Sequence, residues 1–177
     1  MTHPFLGAGD MEKSIKRSGI HRKGEVSLSE LLNSVRSNPG FHKAGAIGVF
    51  IGVVRGEAPD GSRVERLELE AYEEEAEKAL EKICRDLMGR EGIVDVRIHH
   101  IVGTFNVGED LVYVVVAGSH RDEVFSTLRE AVERYKKEAL IFKREFTVDE
   151  KGVRRSFWVG EGVRIPADEP EDKPQGV

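Results

Sequence analysis

Cysteine is almost absent from this sequence, since Cys84 is the only one among 177 residues. No disulfide can form within the chain, and a reducing, cytoplasmic location is therefore expected. No stretch reaches the roughly 18–20 consecutive apolar residues of a membrane-spanning helix. Residues 1–24 also lack the apolar core of a secretory signal. These absences favour a soluble globular protein.

Aromatic residues are also scarce, at 7% of residues, and the chain has no excess of positive charge, since its formal net charge is −5. Proteins that bind nucleic acid in general usually carry a dominant basic field. Binders of single-stranded RNA stack bases on exposed aromatic pairs, and no predicted strand shows such a pair. A nucleic-acid-binding function is therefore disfavoured.

Signatures of common cofactor and metal sites are missing as well. The glycines of the apolar run 44–55 lack the spacing of a dinucleotide fingerprint, and no Gly-Lys-Ser/Thr of a P-loop is present. No set of His, Cys, Asp or Glu has metal-ligand spacing. We therefore expect neither cofactor nor metal. Cys84 and His100, each on an apolar face, are expected to be structural.

The length predicts one domain with tails. Residues 1–25 show little periodicity and are interpreted as a flexible arm, residues 26–160 as the domain, and residues 161–177, which are polar and rich in proline and acid, as disordered.

Three helices and six strands are predicted within the domain. A capping box at Ser27 and Glu30 begins a short helix, a second helix spans 73–88, and a third begins at Ser119 and Asp122, which have the same spacing. Its apolar stripe, which includes Phe125, is expected to be core. The strands are predicted at 44–55, 64–72, 93–102, 110–117, 140–147 and 153–159.

One segment reverses the charge of the chain. Residues 134–155 contain eight Lys or Arg and four Asp or Glu, a net +4 in a chain of −5. Such a reversal indicates an anionic ligand nearby. Lys136 and Lys143 flank the change from helix to strand there. An amine that is desolvated or lies beside other cations has a lowered pKa and can act as a nucleophile or as an acid–base group.

A second basic site precedes the third helix. His120 and Arg121 lie where free backbone N–H groups and the positive end of the dipole favour an anion. Arg55 ends the glycine-containing strand. Any one of these side chains could simply be solvated, as most surface cations are. A cation at a helix N-terminus is unfavourable, however, which favours function. Together the residues suit group transfer on a small phosphorylated molecule.

The order of these segments resembles the large, catalytic subunit of molybdopterin synthase over roughly residues 26–160. The resemblance is carried by Gly45-Ala46 to Phe50, Gly52-Val53-Val54-Arg55, Leu69 to Tyr72, Ala76 to Leu80, Gly103, Val107-Gly108-Glu109, Ser119-His120-Arg121, Phe125, Tyr135-Lys136, Phe142-Lys143-Arg144-Glu145 and Trp158-Val159.

The resemblance implies an α+β fold (hammerhead-like, with a mostly antiparallel sheet packed by helices), a single domain and a homodimer. It implies a sulfurtransferase that converts cyclic pyranopterin monophosphate to molybdopterin. The sulfur would come from the thiocarboxylated C-terminal Gly-Gly of a small ubiquitin-like subunit. The catalytic lysines would be Lys136, which assists transfer on the pterin, and Lys143, which handles the thiocarboxylate. The substrate-binding residues would be Val53, Val54, Arg55, His120, Arg121, Arg144 and Glu145.

The sequence departs from the family pattern at several points. Ile101 follows His100 where the family often has arginine, and Leu140 and Phe142 replace a proline and a tryptophan before the second lysine. The arginine that the family lends across its dimer corresponds to Arg155, to Arg164 or to neither. An alternative hypothesis is a non-catalytic module that binds a phosphorylated small molecule.

Overall fold

The structure, a computed structural model, describes residues 15–160 and 162–167. Within this part of the chain it contains three α-helices, one 3₁₀ turn (Phe41–Lys43) and nine strands. The helices are α1 (Leu28–Arg36), α2 (Glu73–Met88) and α3 (Arg121–Glu138). The strands are β1 (Ser18–His21), β2 (Ala46–Val53), β3 (Arg63–Ala71), β4 (Ile93–Ile101), β5 (Gly103–Phe105), β6 (Asp110–Gly118), β7 (Ile141–Val148), β8 (Arg154–Gly160) and β9 (Val163–Pro166).

The strands form two sheets rather than one. The first has the order β1-β4-β6-β2 and the second the order β5-β3-β7-β8-β9. Every pair is antiparallel except β1 with β4. The predicted α+β class with mostly antiparallel pairing is confirmed. Strand β7 follows α3 directly and pairs with β3. The basic segment therefore passes from α3 into the second sheet.

Two apolar clusters hold the layers together. On one face of the first sheet, α2 and α3 cover β4 and β6, and their side chains include Leu80, Ile83, Val114 and Val116. The opposite face packs against α1 and the inner face of the second sheet. Strand β6 is therefore buried on both faces, which explains its nearly continuous run of apolar residues.

The helix boundaries follow the sequence signals with one exception. Ser27 and Glu30 form the predicted capping box at α1, and α2 has its predicted bounds. The capping box predicted at Ser119 is wrong, because the N-cap of α3 is His120, without a side-chain cap bond. The Ser119 hydroxyl instead donates to the Gly92 carbonyl at 3.3 Å, and this bond ties the end of β6 to the turn before β4.

Two burial patterns also differ from the sequence prediction. Phe125 was expected in the core but is 62% exposed, because the buried line of α3 runs through Val124, Thr127, Ala131 and Tyr135. The alternation of Val94, Val96, Ile98 and Val102 predicts one apolar face for strand β4, with His99 on the other face. It lies between β1 and β6 with α2 on one side and the α1 layer on the other, so both of its faces are buried.

The two terminal segments contain strands where flexible chain was predicted. Residues 18–21 of the predicted arm pair with β4, which supplies hydrogen-bonding partners along its free edge. Residues 163–166 of the predicted tail extend the second sheet beside β8. Residues 1–14, 161 and 168–177, which complete those two predicted segments, lie outside the described residues. No helix among the described residues has the length and apolar character needed to cross a membrane.

Candidate active site

A cleft of about 410 Å³ lies between the end of β2 and the inner face of the second sheet. One wall comes from the end of β2 and the turn that follows it, and the other from β7, β8 and β9. The side chains that line it include Val53, Val54, Arg55, Lys143, Glu145 and Arg164. Gly160 and Gly162 contribute wall without side chains.

Lys143 lies at the base of this cleft because of its place in the sheet. Its neighbours in the pairing register are Leu69 on β3 and Val159 on β8. Since strand side chains alternate between faces, Lys143 and Glu145 point into the cleft while Phe142 and Arg144 point to the other face. The amine is therefore held by three hydrogen-bonded strands rather than by a loop.

The surroundings of Lys143 destabilise the charged form of its amine. Burial lowers the pKa of the amine, and the positive charges of Lys136 and Arg55 lower it further, whereas Glu145 acts in the opposite direction. The sequence predicted that a neighbouring cation or partial desolvation would lower a lysine pKa in this segment. The structure contains both causes, and desolvation is the larger.

Lys136 approaches the same region from the helix. It lies in the last turn of α3, and its Nζ atom is 6.0 Å from the centre of the Phe50 ring on β2. The preceding residue, Tyr135, is buried and meets His100 edge to face with ring centroids 5.8 Å apart. A buried residue beside it thus fixes the exposed lysine near Lys143.

Within the part of the chain that the structure describes, Arg55 and Lys143 in the cleft, and Lys136 beside it, are not paired with a carboxylate, whereas Arg164 is. Among the described residues, no carboxylate lies within 4.0 Å of a charged nitrogen of Arg55, Lys136 or Lys143. Other surface cations, such as Arg134 with Glu138 and Asp86, do form such pairs. Unpaired cations in and beside a cleft attract anions and raise their local concentration.

Arg164 is a cleft residue that the sequence left between alternatives. It was one of two candidates for an arginine lent across a dimer, in a segment expected to be disordered. Its guanidinium bonds to Asp60 at 2.6 Å and to Glu145 at 3.2 Å within its own chain. Arg155, the other candidate, is exposed and lies 3.7 Å from Asp149. No sequence signal pointed to Asp60, because its role depends on the turn that brings it over β9.

Arg144 does not line the cleft. It projects from the outer face of the second sheet, where it donates to the Ser156 hydroxyl at 2.9 Å and lies over the Phe146 and Trp158 rings. Its predicted role in binding substrate therefore has no support from its position in one chain. These contacts stabilise the β7–β8 pair.

His120 and Arg121 lie at the far end of β2 from Arg55. Gly118, just before them, pairs with Ala46, whereas Asp110 pairs with Val53 beside the cleft. Seven strand steps separate these two ends, or about 23 Å. Both side chains are mostly exposed, and they contact the acids of their own helix turn, Glu123 and Asp122. Within one chain, the predicted anion-binding residues are therefore divided between two places, with Arg55 at one end of β2 and His120 and Arg121 at the other.

Cys84 and His100 have structural roles. Burial raises the pKa of the Cys84 thiol to about 12, which makes it unreactive. Burial lowers the pKa of His100 to about 4, and its ring bonds to the Ile101 carbonyl at 3.0 Å. No group of three or more His, Cys, Asp or Glu in the described ranges is arranged to hold a metal ion.

Comparison with known proteins places these features in a family context. A family model described as "MoaE protein" matches residues 21–138. A protein of Haloferax volcanii named "Probable molybdopterin synthase" is 39% identical over 135 residues, which are 76% of this chain and 50% of that protein. The chain thus spans about half the length of this relative. The "Molybdopterin synthase catalytic subunit" of Pyrococcus abyssi is 34% identical over 85% of this chain and 95% of its own length.

A solved structure shows the same architecture. The crystal structure of molybdopterin synthase from Staphylococcus aureus superposes with a TM-score of 0.69 at 28% sequence identity. The superposition covers 82% of this chain and 98% of that one. The likeness is therefore one of fold over most of this chain and nearly all of that one.

Proposed function

The chain belongs to the MoaE protein family, and we propose that it is the catalytic subunit of a molybdopterin synthase. It transfers sulfur to cyclic pyranopterin monophosphate from the thiocarboxylated C-terminus of a small ubiquitin-like subunit. The observation that carries this proposal is the half-buried amine of Lys143 in a cleft that Arg55 also lines, with Lys136 close enough to lower its pKa. Those cations have no carboxylate partner among the described residues. We place the reaction in the cytoplasm, which the single cysteine supports.

The cleft suits two anionic substrates at once. The thiocarboxylate and the phosphate of the pterin both carry negative charge. Arg55 and Lys143 provide positive charge inside the cleft, and Lys136 adds to it from the end of α3. Charge is stabilised more strongly there than in bulk water. A lysine with a lowered pKa can also move a proton during the transfer. We assign Lys143 to the thiocarboxylate and Lys136 to the pterin.

The walls of the cleft fit a thin peptide tail. Gly160 and Gly162 line it without side chains, and Gly160 has open space where a Cβ would be. Val53 and Val163, both exposed, lie at its margin. An extended Gly-Gly segment is the narrowest chain that can reach Lys143 past these residues. This arrangement supports a sulfur-donating tail rather than a free small donor.

A second copy of the chain would bring His120 and Arg121 close to an Arg55 again. Strand β2 lies at the edge of its sheet, and its outward side chains Val49, Ile51 and Val53 are 38%, 39% and 53% exposed. An exposed apolar edge strand is a template for pairing. If β2 of two copies pairs antiparallel about a two-fold axis, the Ala46 end of one copy meets the Val53 end of the other. His120 and Arg121 of one chain then lie beside Arg55 of its partner.

The alternative function, a non-catalytic module for a phosphorylated small molecule, rests on the same cations. Anion binding alone needs Arg55 and Lys136 but gives no reason for a half-buried amine at the base of the cleft. The two functions therefore separate at Lys143. Removing this amine should abolish sulfur transfer and should leave simple phosphate binding largely intact.

The test is a reconstituted reaction with Lys143→Ala, the thiocarboxylated partner and cyclic pyranopterin monophosphate. We expect molybdopterin formation to fall by at least about 100-fold, the usual scale for losing an acid–base group. The matched control is Lys137→Ala, which removes an exposed lysine of the same helix turn outside the cleft. Near-normal product formation by Lys143→Ala would exclude the proposed role. Loss of product by the control as well would point to a general charge effect.

A further inference from the structure

Arg164 makes three contacts that hold one guanidinium in one place. It donates to Asp60 on the turn before β3 and to Glu145 on β7, and its central carbon lies 3.6 Å from the centre of the Phe157 ring on β8. The side chains of Arg164 and Glu145 are only 18% and 13% exposed. A planar fork that bridges two carboxylates over an aromatic ring has little freedom to move.

The strand register places this contact next to Lys143. Lys143 pairs with Val159, and Val159 pairs with Arg164, so the two cations lie in one cross-strand row. Glu145 is two residues along β7 and points to the same face, which brings its carboxylate between them. Two cations therefore compete for a single carboxylate, and the direct hydrogen bond goes to Arg164.

We propose that Arg164 is a positioning residue that acts within its own chain. By holding Glu145, it keeps the amine of Lys143 without a carboxylate partner and so available for the sulfur-transfer step. The catalytic consequence rests on the function proposed above, whereas the effect on the amine does not. Arg164 acts through Glu145 and needs no direct contact with substrate.

The amine is surrounded by charges from every element packed against it. These are Glu145 on its own strand, Arg164 on β9, Arg55 and Glu57 after β2, Lys136 on α3 and His100 on β4. His100 is neutral near pH 7, and Glu57 lies in the part of the cleft nearest Arg55. Glu145 is the carboxylate that raises the pKa of Lys143, and Arg164 is its bonded partner. Breaking the bond between Arg164 and Glu145 is therefore the change that most directly allows Glu145 to pair with the amine of Lys143.

The first readout requires no enzymatic activity. The full-length chain is treated with acetic anhydride over a range of pH, and acetylation of Lys143 is measured by peptide mass spectrometry. In Arg164→Gln we expect the midpoint of acetylation to rise by about 1 pH unit or more, the usual effect of a close opposite charge. Arg164→Lys, which keeps the positive charge beside Glu145, should restore most of the wild-type midpoint.

A double variant separates positioning from a merely structural role. In Glu145→Gln/Arg164→Gln the carboxylate that raises the pKa of Lys143 is absent, so the upward shift should disappear. The single variant Glu145→Gln should lower the midpoint, because it removes the carboxylate that raises the pKa of Lys143, but by less than Arg164→Gln raises it, since Arg164 already holds that carboxylate in the native chain. A shift in the double variant equal to that in Arg164→Gln overturns the proposal. So does a fall of a full pH unit in Glu145→Gln, a result that can be obtained even if Arg164→Gln does not fold.

The second readout is the pH profile of molybdopterin formation. The acidic limb should move to higher pH in Arg164→Gln by the same amount as the acetylation midpoint, with kcat affected more than KM. If acetylation shifts while the native enzyme forms no product, the proposed function fails and the role of Arg164 stands. If the native enzyme is active but acetylation does not shift, the role of Arg164 fails and the proposed function stands.

Discussion

His100 on β4 and Tyr135 on α3 meet edge to face beneath the cleft, with ring centroids 5.8 Å apart. Tyr135 is followed directly by Lys136, and the pKa of His100 is affected by the charge of Lys143. This buried pair therefore joins the first sheet to the helix end that carries one of the two cleft lysines. The position of Lys136 depends on this packing more than on any contact of its own side chain.

Shortening Tyr135 should separate packing from chemistry. Tyr135→Leu removes the edge-to-face contact and part of a buried ring, so we expect a loss of about 2–3 kcal/mol in the free energy of unfolding. Product formation should also fall, since Lys136 is no longer held in place. Tyr135→Phe keeps the ring, and both properties should stay close to wild type. Chemical denaturation and the reconstituted assay measure the two effects. An equal loss in Tyr135→Phe would show that the hydroxyl, and not the ring, is what matters.

The buried histidines predict a marked sensitivity to acid. Burial lowers the pKa of His99 to about 3 and that of His100 to about 4. Below the unfolded value of about 6.5, the unfolded chain binds protons that the folded chain excludes, so stability falls as the pH drops toward 4. The slope should be about 1.4 kcal/mol per pH unit for each histidine. Urea denaturation between pH 7 and 4 measures it, and His100→Gln should reduce the slope by about half. An unchanged slope in that variant would mean that His100 is already solvated.

Local signals predicted the elements well, and long-range contacts explain what they could not predict. The bounds of α2 follow from its periodicity and from Gly89 at its end, because helical order is largely set by near neighbours. Strand β1 lacks such a signal, since its order comes from pairing with β4 more than 70 residues away. The same holds for Arg164, whose role depends on Asp60 across the sheet. Lys143 was identified from its sequence context, but its electrostatic interaction with Arg55 arises only when the two sheets pack.

Lys143 should lower stability at neutral pH. Its pKa in the folded chain is below the unfolded value because burial disfavours the ammonium. The folded state therefore carries a penalty whenever the unfolded chain is protonated, and the penalty disappears only as the pH rises above the unfolded pKa of about 10.4. Lys143→Met keeps the side-chain volume and should stabilise the protein by roughly 0.5–2 kcal/mol at pH 7 while abolishing activity. The gain should shrink toward pH 10.5.

The control Lys137→Met alters an exposed lysine and should change stability little. A loss of stability in Lys143→Met at pH 7 would contradict the desolvation argument.

Mixing two inactive variants tests whether His120 and Arg121 complete the cleft of a partner chain. Lys143→Ala and Arg121→Ala should each be inactive as homodimers. After subunit exchange, half of the dimers contain one chain of each kind. If pairing along β2 places Arg121 beside the partner's Arg55, each mixed dimer contains one intact site. About a quarter of wild-type activity should then return.

A mixture of Lys143→Ala with Lys136→Ala is the matched control. Both lysines belong to the same chain's cleft, so that mixture contains no intact site and should stay inactive. Adding Ile51→Lys to both partners of the first mixture should abolish the recovery, because it places a charge on the apolar edge that the dimer covers. No recovery in the first mixture would show that each chain's cleft works with its own residues alone. Recovery in the control mixture would show instead that the two lysines of one site come from different chains.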